Sequence, residues 1–196
     1  RYSNYSNFDS SWLTEKEIIS EVLLDHIGSS KNILSYGCGI GYVEFLLANK
    51  NRNLRIDGYD FAKNYRSFFN EIKKLDNLNF EIDMNKLSGK RYQIIYLCNI
   101  CYAMNKIDCE NLLMYLRNFL IDDGKIIIIH HPPKKNFIFY LRFMIKSVLP
   151  KIFLIKYYQI RNTNLHNFQF WGYSRDDKMY ENIAKKANLR INSRYF

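Results

Sequence analysis

Ile33-Leu34-Ser35-Tyr36-Gly37-Cys38-Gly39-Ile40-Gly41 decides how this chain is read. It begins as a short, mostly apolar strand and runs straight into three glycines at alternate positions. Glycine enters the left-handed backbone region freely and lets the main chain come close to a bound molecule. In open α/β sheets, ligands sit beyond the carboxyl ends of the strands, where the strand order reverses. A dinucleotide turn of this kind needs G-x-G-x-x-G, with amides at the start of the following helix facing pyrophosphate. Here the spacing is G-x-G-x-G, and Tyr42 stands where the third dinucleotide glycine would fall. The spacing therefore disfavours a dinucleotide.

Strands and helices alternate on both sides of this turn. Upstream, Thr14-Glu15-Lys16-Glu17 has the form of a capping box. It predicts a helix with Ile18, Ile19, Val22, Leu23 and Ile27 on its apolar face, closed by Gly28. Downstream, a helix through Val43, Phe45, Leu46, Leu47 and Ala48 leads to a second strand, Leu54 to Tyr59, ending at Asp60. A helix carrying Tyr65, Phe68, Phe69, Ile72 and Leu75 precedes a third strand, Leu78 to Ile82, ending at Asp83. Gln93 to Cys98 is nearly all apolar, as a strand covered on both faces should be. Asp108 is the expected cap of a helix through Leu112, Leu113, Leu116, Phe119 and Leu120, and Asp123-Gly124 the turn into a fifth strand, Lys125 to Ile129. The pattern breaks over 131–173 and resumes at Ser174-Arg175-Asp176-Asp177 with a helix (Met179, Tyr180, Ile183, Ala184, Ala187) and a last strand, Leu189 to Tyr195.

Such alternation implies a doubly wound α/β fold with a mostly parallel sheet. At 196 residues the chain matches one domain, 1–196, with 131–173 as an insertion after the fifth strand. The hydrophobic share of 47% excludes a disordered chain, and four cysteines are too few for a disulfide scaffold. The net charge of +10 favours an anionic partner. Between Gly124 and Arg175 there is no acidic residue, and Lys134, Lys135, Arg142, Lys146, Lys151, Lys156 and Arg161 lie in that gap. No signal peptide or uninterrupted membrane-spanning run is visible, and the expected location is the cytoplasm, with membrane association as the variant.

The glycine run resembles the first motif of the class I S-adenosylmethionine-dependent methyltransferases, and the likeness continues in order. Asp60, nineteen residues past Gly41, falls where that family has an acid that accepts from the ribose hydroxyls. Asp83 and Met84 fall where it has a polar and an apolar residue around the adenine. Arg91 to Tyr96 resembles the strand entering the active site, and Leu116 to Ile129 the helix, turn and strand that follow. The resemblance covers about 31–129, and 174–196 more faintly. It implies S-adenosyl-L-methionine as cofactor, a Rossmann-like sheet of the seven-strand type with its last strand missing, and a cofactor site of Ser35, Tyr36, Gly37, Cys38, Gly39, Gly41, Asp60, Phe61, Asp83, Met84, Cys98 and Asn99. The family has an acid where this chain has Ser35, which brings no charge to the cofactor's ammonium.

The cofactor's methyl group is already activated, so the remaining tasks are in-line positioning and, for an oxygen nucleophile, removal of its proton. Histidine suits that second task. His131, His130 and His166 are the candidate bases and Tyr102 a further candidate, beside the plain alternative that His130 merely packs and His131 only precedes Pro132. Cys98-Asn99-Ile100-Cys101 is a C-x-x-C without a second one, so no metal is expected. Asn99-Ile100-Cys101-Tyr102 lacks both prolines of the signature for methylating base amines. The expected activity is O-methylation of a small molecule, a glycan or a lipid-linked intermediate. The alternatives are a non-catalytic cofactor-binding module and an RNA methyltransferase. The aromatic, lysine-bearing stretch 134–161 suits either an anionic membrane surface or a lid over the substrate, and its many Ile and Leu make nucleic acid the lesser choice.

Overall fold

The computed structural model describes residues 8–65, 69, 75–130 and 175–193. Its elements are α1 (Ser10–Ile27), β1 (Asn32–Tyr36), α2 (Tyr42–Lys50), β2 (Arg55–Tyr59), β3 (Leu78–Glu81), β4 (Tyr92–Cys98), α3 (Lys106–Arg117), β5 (Leu120–Ile129) and α4 (Asp177–Lys186). All the pairings are parallel, in the order β3-β2-β1-β4-β5, so the order reverses between β1 and β4. The doubly wound expectation holds, with five strands among the described residues rather than the six the sequence pattern proposes.

Backbone contacts divide the chain into two compact units: Arg1–Cys98 with Leu116–Ile129, and Asn99–Tyr115 with His130–Phe196. The first holds the sheet. Ile33, Ile56, Leu78 and Ile94 form one row across four strands. Ile19, Leu23 and Ile27 of α1 and Val43, Leu47 and Ala48 of α2 join that row in one core. Two residues further along each strand, Phe80, Gly58, Ser35 and Tyr96 make a second row. Side chains two apart on a strand share a face, so this row lies on the side covered by α1 and α2. The core row is apolar. The next row, at the carboxyl end, is where polar groups enter.

Several local expectations are corrected. Helix α1 begins at Ser10, not Thr14. Asp9 caps it by accepting from the Ser11 amide at 2.8 Å, while the Thr14 hydroxyl donates back to the Ser10 carbonyl at 2.9 Å. Phe8, Trp12 and Tyr42 stack in series (4.7 and 5.6 Å), and this aromatic run carries the helix past the capping box. Ile18 and Val22 are exposed, so the buried stripe is Ile19, Leu23 and Ile27. Asn105 rather than Asp108 caps α3, its side-chain oxygen accepting from the Asp108 amide at 2.9 Å. Asp123 and Gly124 lie inside β5, in a register irregularity where Tyr92 pairs with Leu120 but Ile94 with Lys125.

In the second unit, Arg175 is buried and donates to the carbonyls of Cys101 (2.6 Å) and Met104. Asp176, not Ser174, caps α4 by accepting from the Met179 amide at 2.8 Å. Helix α4 closes as Asn188 turns left-handed (φ 54°), with bonds from the Asn188 amide to Lys185 and from the Leu189 amide to Ala184. Residues 189–193 then run without strand structure, so the last strand is absent from the described part of Leu189–Tyr195. Asp176→Ala is expected to cost about 1 kcal/mol, the usual cost of losing such a cap. Thermal unfolding should show this as a loss of about 2–4 °C. The insertion 131–173 and most of the helix predicted over Tyr65–Leu75 lie outside the described residues, although Phe69 is helical and buried.

Candidate functional site

The glycine turn leaves β1 at the point where the strand order reverses. Gly37, Gly39 and Gly41 all have positive φ (79°, 57° and 77°), as the sequence spacing requires. The amides of Gly37 and Cys38 both donate to the Tyr59 carbonyl, at 2.8 and 3.0 Å. The Gly39 amide donates to Asp60 Oδ2 at 2.8 Å, and the Gly41 amide to the Cys38 carbonyl at 3.0 Å. These four donors are thus used within the protein and do not converge on an outside anion. A pyrophosphate cradle needs them facing outward.

Glycine is needed here for two different reasons. A side chain at Gly39 would meet nothing within 4 Å, so the turn is open to its surroundings there. At Gly41 a β-carbon would run into the Phe80 ring, with Cε1 at 2.6 Å. The same ring fills the space above Gly58, whose β-carbon would lie 2.6 Å from Phe80 Cδ1 and 3.2 Å from the Cys38 sulfur. Phe80 therefore wedges the turn against the sheet, backed by Phe69 stacked 4.3 Å away.

Asp60, just past β2, is buried, and its second oxygen accepts from the Ala62 amide at 2.9 Å. It is fixed at the place the sequence assigned it. Phe61 beside it is 73% exposed. Asp83 caps the short turn Met84–Leu87 by accepting from the Asn85 amide at 3.0 Å, and Met84 is half-buried. Tyr36 packs its ring 5.0 Å from Tyr59.

The residue that sequence reasoning missed is Glu44, in the first turn of α2. It is 2% exposed. Its Oε1 accepts from Ser35 Oγ at 2.6 Å and from the Tyr96 hydroxyl at 2.5 Å. Such short contacts are typical of a hydroxyl donating to a carboxylate. Oε2 is buried with no hydrogen-bond partner among the described residues. Burial pushes the Glu44 acid up, against the pull of the two hydroxyls, and the Asp60 charge pushes the same way. Ser35 is therefore a donor to an acid, not a gap where an acid should be. The signal was present in the sequence: one hydroxyl in an apolar strand and one carboxyl in an apolar helix turn are each out of pattern, and together they satisfy each other.

Around this acid the electrostatics are one-sided. The Cys38 thiol is raised well above its ordinary range by burial and by the charges of Glu44 and Asp60. Burial pushes the Cys98 thiol, at the end of β4, up to about 12, offset in part by Lys16. Lys16 itself is paired with Glu15 at 2.8 Å and lies 5.5 Å from the Trp12 ring.

The remaining candidates belong to the second unit. Asn99 is left-handed (φ 54°) immediately after β4, a conformation uncommon outside glycine and often found at functional positions. Tyr102 is half-buried in the turn Cys101–Ala103. His130 is half-buried with its ring 4.7 Å from that of Tyr180. The thiols of Cys101 and Cys109 share a hydrogen bond, which raises the first and lowers the second. No group of three or more metal-ligating side chains occurs among the described residues. His131 and His166 lie outside them.

Two solved structures that share this architecture are described as methyltransferases. A chain described as an O-methyltransferase from Nostoc punctiforme matches with a TM-score of 0.60 and 18% identity, over 91% of this chain and 51% of that one. The fold is that of the class I methyltransferases. Coclaurine N-methyltransferase, in a crystal structure with N-methylheliamine and SAH, matches with a TM-score of 0.50 and 18% identity, over 58% of this chain and 35% of that one. This methyltransferase-fold chain thus spans about half or less of the length of those neighbours. No family model and no curated protein matches its sequence.

Proposed function

We propose that this chain is an S-adenosylmethionine-dependent methyltransferase acting on an oxygen of a small molecule, a glycan or a lipid-linked intermediate. One observation carries the cofactor: the amides of Gly37, Cys38, Gly39 and Gly41 are spent internally and the turn is flanked by two buried carboxylates, Glu44 and Asp60. Those charges repel a pyrophosphate and suit a cationic sulfonium nucleoside. The residues present fit that group. Gly39 is open, so the main chain offers a surface with no side chain in the way. Asp60 keeps further acceptor capacity on both oxygens for a sugar diol, since each carboxylate oxygen accepts more than one bond. Met84 and the exposed Phe61 ring offer apolar surface for a base.

The bound cofactor brings a methyl group already activated by its sulfonium. The chain's own part is to hold the acceptor in line and, for a hydroxyl, to take its proton. His131, His166, His130 and Tyr102 are the candidates for that proton. The ring contact with Tyr180 supports a packing role for His130. In this reading the protein works in the cytoplasm, and the basic stretch 134–161 touches an anionic membrane surface when the acceptor is lipid-linked.

Titration calorimetry with S-adenosylmethionine tests the cofactor. The native chain is expected to bind it with a micromolar Kd. Gly39→Ala should lose that heat while unfolding within a few degrees of the parent, because its methyl enters open space and costs only about 1–2 kcal/mol of left-handed strain. Native protein that gives no heat would overturn the proposal. Cofactor binding without methyl transfer to any acceptor would instead favour the binding module.

A further inference from the structure

We infer that Glu44 makes the glycine-turn site charge-selective, favouring the cationic methyl donor over the neutral product left after transfer. This rests on the S-adenosylmethionine reading above and concerns a residue that the family resemblance does not mark.

Glu44 and Asp60 are both buried beside the same turn, and no lysine or arginine pairs with either among the described residues. Asp60 spends bonds from both oxygens on backbone amides. Glu44 is held differently. Ser35 from β1 and Tyr96 from β4 donate to one oxygen, while the other is enclosed without a donor. Two hydroxyls from two strands fix the carboxylate's position and pull toward its ionised form, against the burial that pushes the acid up. The position at the start of α2 also favours negative charge.

Among the described residues, the charged and titratable groups around it are few. Asp60 stands past β2, the Cys38 thiol in the turn and the Cys98 thiol at the end of β4, with Glu15 and Lys16 from α1 near Cys98. The one cation in that group is already paired with Glu15. A buried, uncompensated negative charge acts strongly on whatever enters, because little water screens it. S-adenosylmethionine carries a sulfonium and an ammonium against one carboxylate, a net positive charge. S-adenosylhomocysteine lacks the sulfonium and is neutral. The two have nearly the same shape, so a fixed charge separates them where packing cannot. The acid that the strand lacks at Ser35 reaches the same place from the helix.

The test measures both ligands by calorimetry on the full chain, for the parent and for the near-isosteric E44Q. The donor's Kd is expected to rise about tenfold more than the product's, which corresponds to about 1.4 kcal/mol. Placing the acid back on the strand, in S35D/E44Q, should restore most of that ratio. Equal weakening of both ligands would assign Glu44 a structural role and overturn the inference, as would an unchanged ratio. A parent chain that binds neither ligand removes the function and this inference together. A parent that binds both, with the E44Q ratio unmoved, removes the inference alone. Should E44Q fail to fold, Tyr96→Phe takes its place. Losing one donor lets Glu44 protonate at higher pH, so the donor-to-product ratio should fall earlier than in the parent as the solution is acidified. A ratio that tracks the parent overturns the inference.

Discussion

Asp60→Ala is expected to raise the Kd for S-adenosylmethionine by at least about 100-fold, a loss on the scale expected for Gly39→Ala. The carboxylate does two things at once. It accepts from the Gly39 and Ala62 amides at 2.8 and 2.9 Å, and so fixes the open point of the glycine turn relative to β2. In the proposed reading it also offers its remaining lone pairs to a diol. A hydrogen bond to a charged acceptor contributes about 1.5–3 kcal/mol, so losing two of them accounts for a factor of this size. The fold itself should survive with a lower Tm. Each amide left without an acceptor costs about 1–3 kcal/mol if it stays dry and less if water reaches it. Asp60→Asn separates the two roles. The amide oxygen can still serve one of the backbone donors, but its NH2 faces the other as donor to donor, so intermediate binding and a smaller drop in Tm are expected. If calorimetry shows Asp60→Ala binding within threefold of the parent, the sugar is held elsewhere and the site assignment fails.

The sheet was legible because parallel strands announce themselves. Asn32 to Tyr36 and Gln93 to Cys98 are apolar runs bounded by turn residues, and the structure places β1 and β4 over the same residues to within one position. Asp60 was legible because an acid directly after a buried strand must be satisfied, and it accepts two backbone amides, while Asp83, exposed and two residues past the end of β3, caps the turn that follows. The helix starts were harder to read. Asp9 and Thr14, or Asn105 and Asp108, are equally good caps by residue type, and the choice of α1's start follows ring packing of Phe8, Trp12 and Tyr42, which no local pattern encodes. The segment after Asn188 reads as a strand by composition, yet residues 189–193 make no ladder, since a strand exists only through its partner. Glu44 was out of pattern in the sequence, but its partner was not readable there. A carboxyl nine residues from Ser35 in sequence became its partner only when α2 folded back over β1 and β4.

Gly41→Ala should be far more destabilising than Gly39→Ala, lowering stability by about 2–5 kcal/mol. About 1–2 kcal/mol comes from forcing a side chain into φ 77°. A further 1–3 kcal/mol or so comes from overpacking against Phe80. The ring has no room to yield. The ring tip faces Gly41, the adjoining Cδ1–Cε1 edge lies where a β-carbon on Gly58 would be 2.6 Å away, and Phe69 stacks on its face at 4.3 Å with 4° between the planes. Phe80 is 8% exposed, so swinging outward would open the core. At about 2–4 °C per kcal/mol for a chain of this size, Tm should fall by roughly 4–20 °C. Gly39→Ala supplies the contrast, with similar left-handed strain and no neighbour within 4 Å. A double-mutant cycle with Phe80→Leu isolates the contact. If the wedge carries the cost, the pair is less destabilised than the sum of its singles by about 0.5–3 kcal/mol, the range seen for side chains in contact. Equal melting of Gly41→Ala and Gly39→Ala, or strict additivity with Phe80→Leu, would show that the ring does not hold the turn.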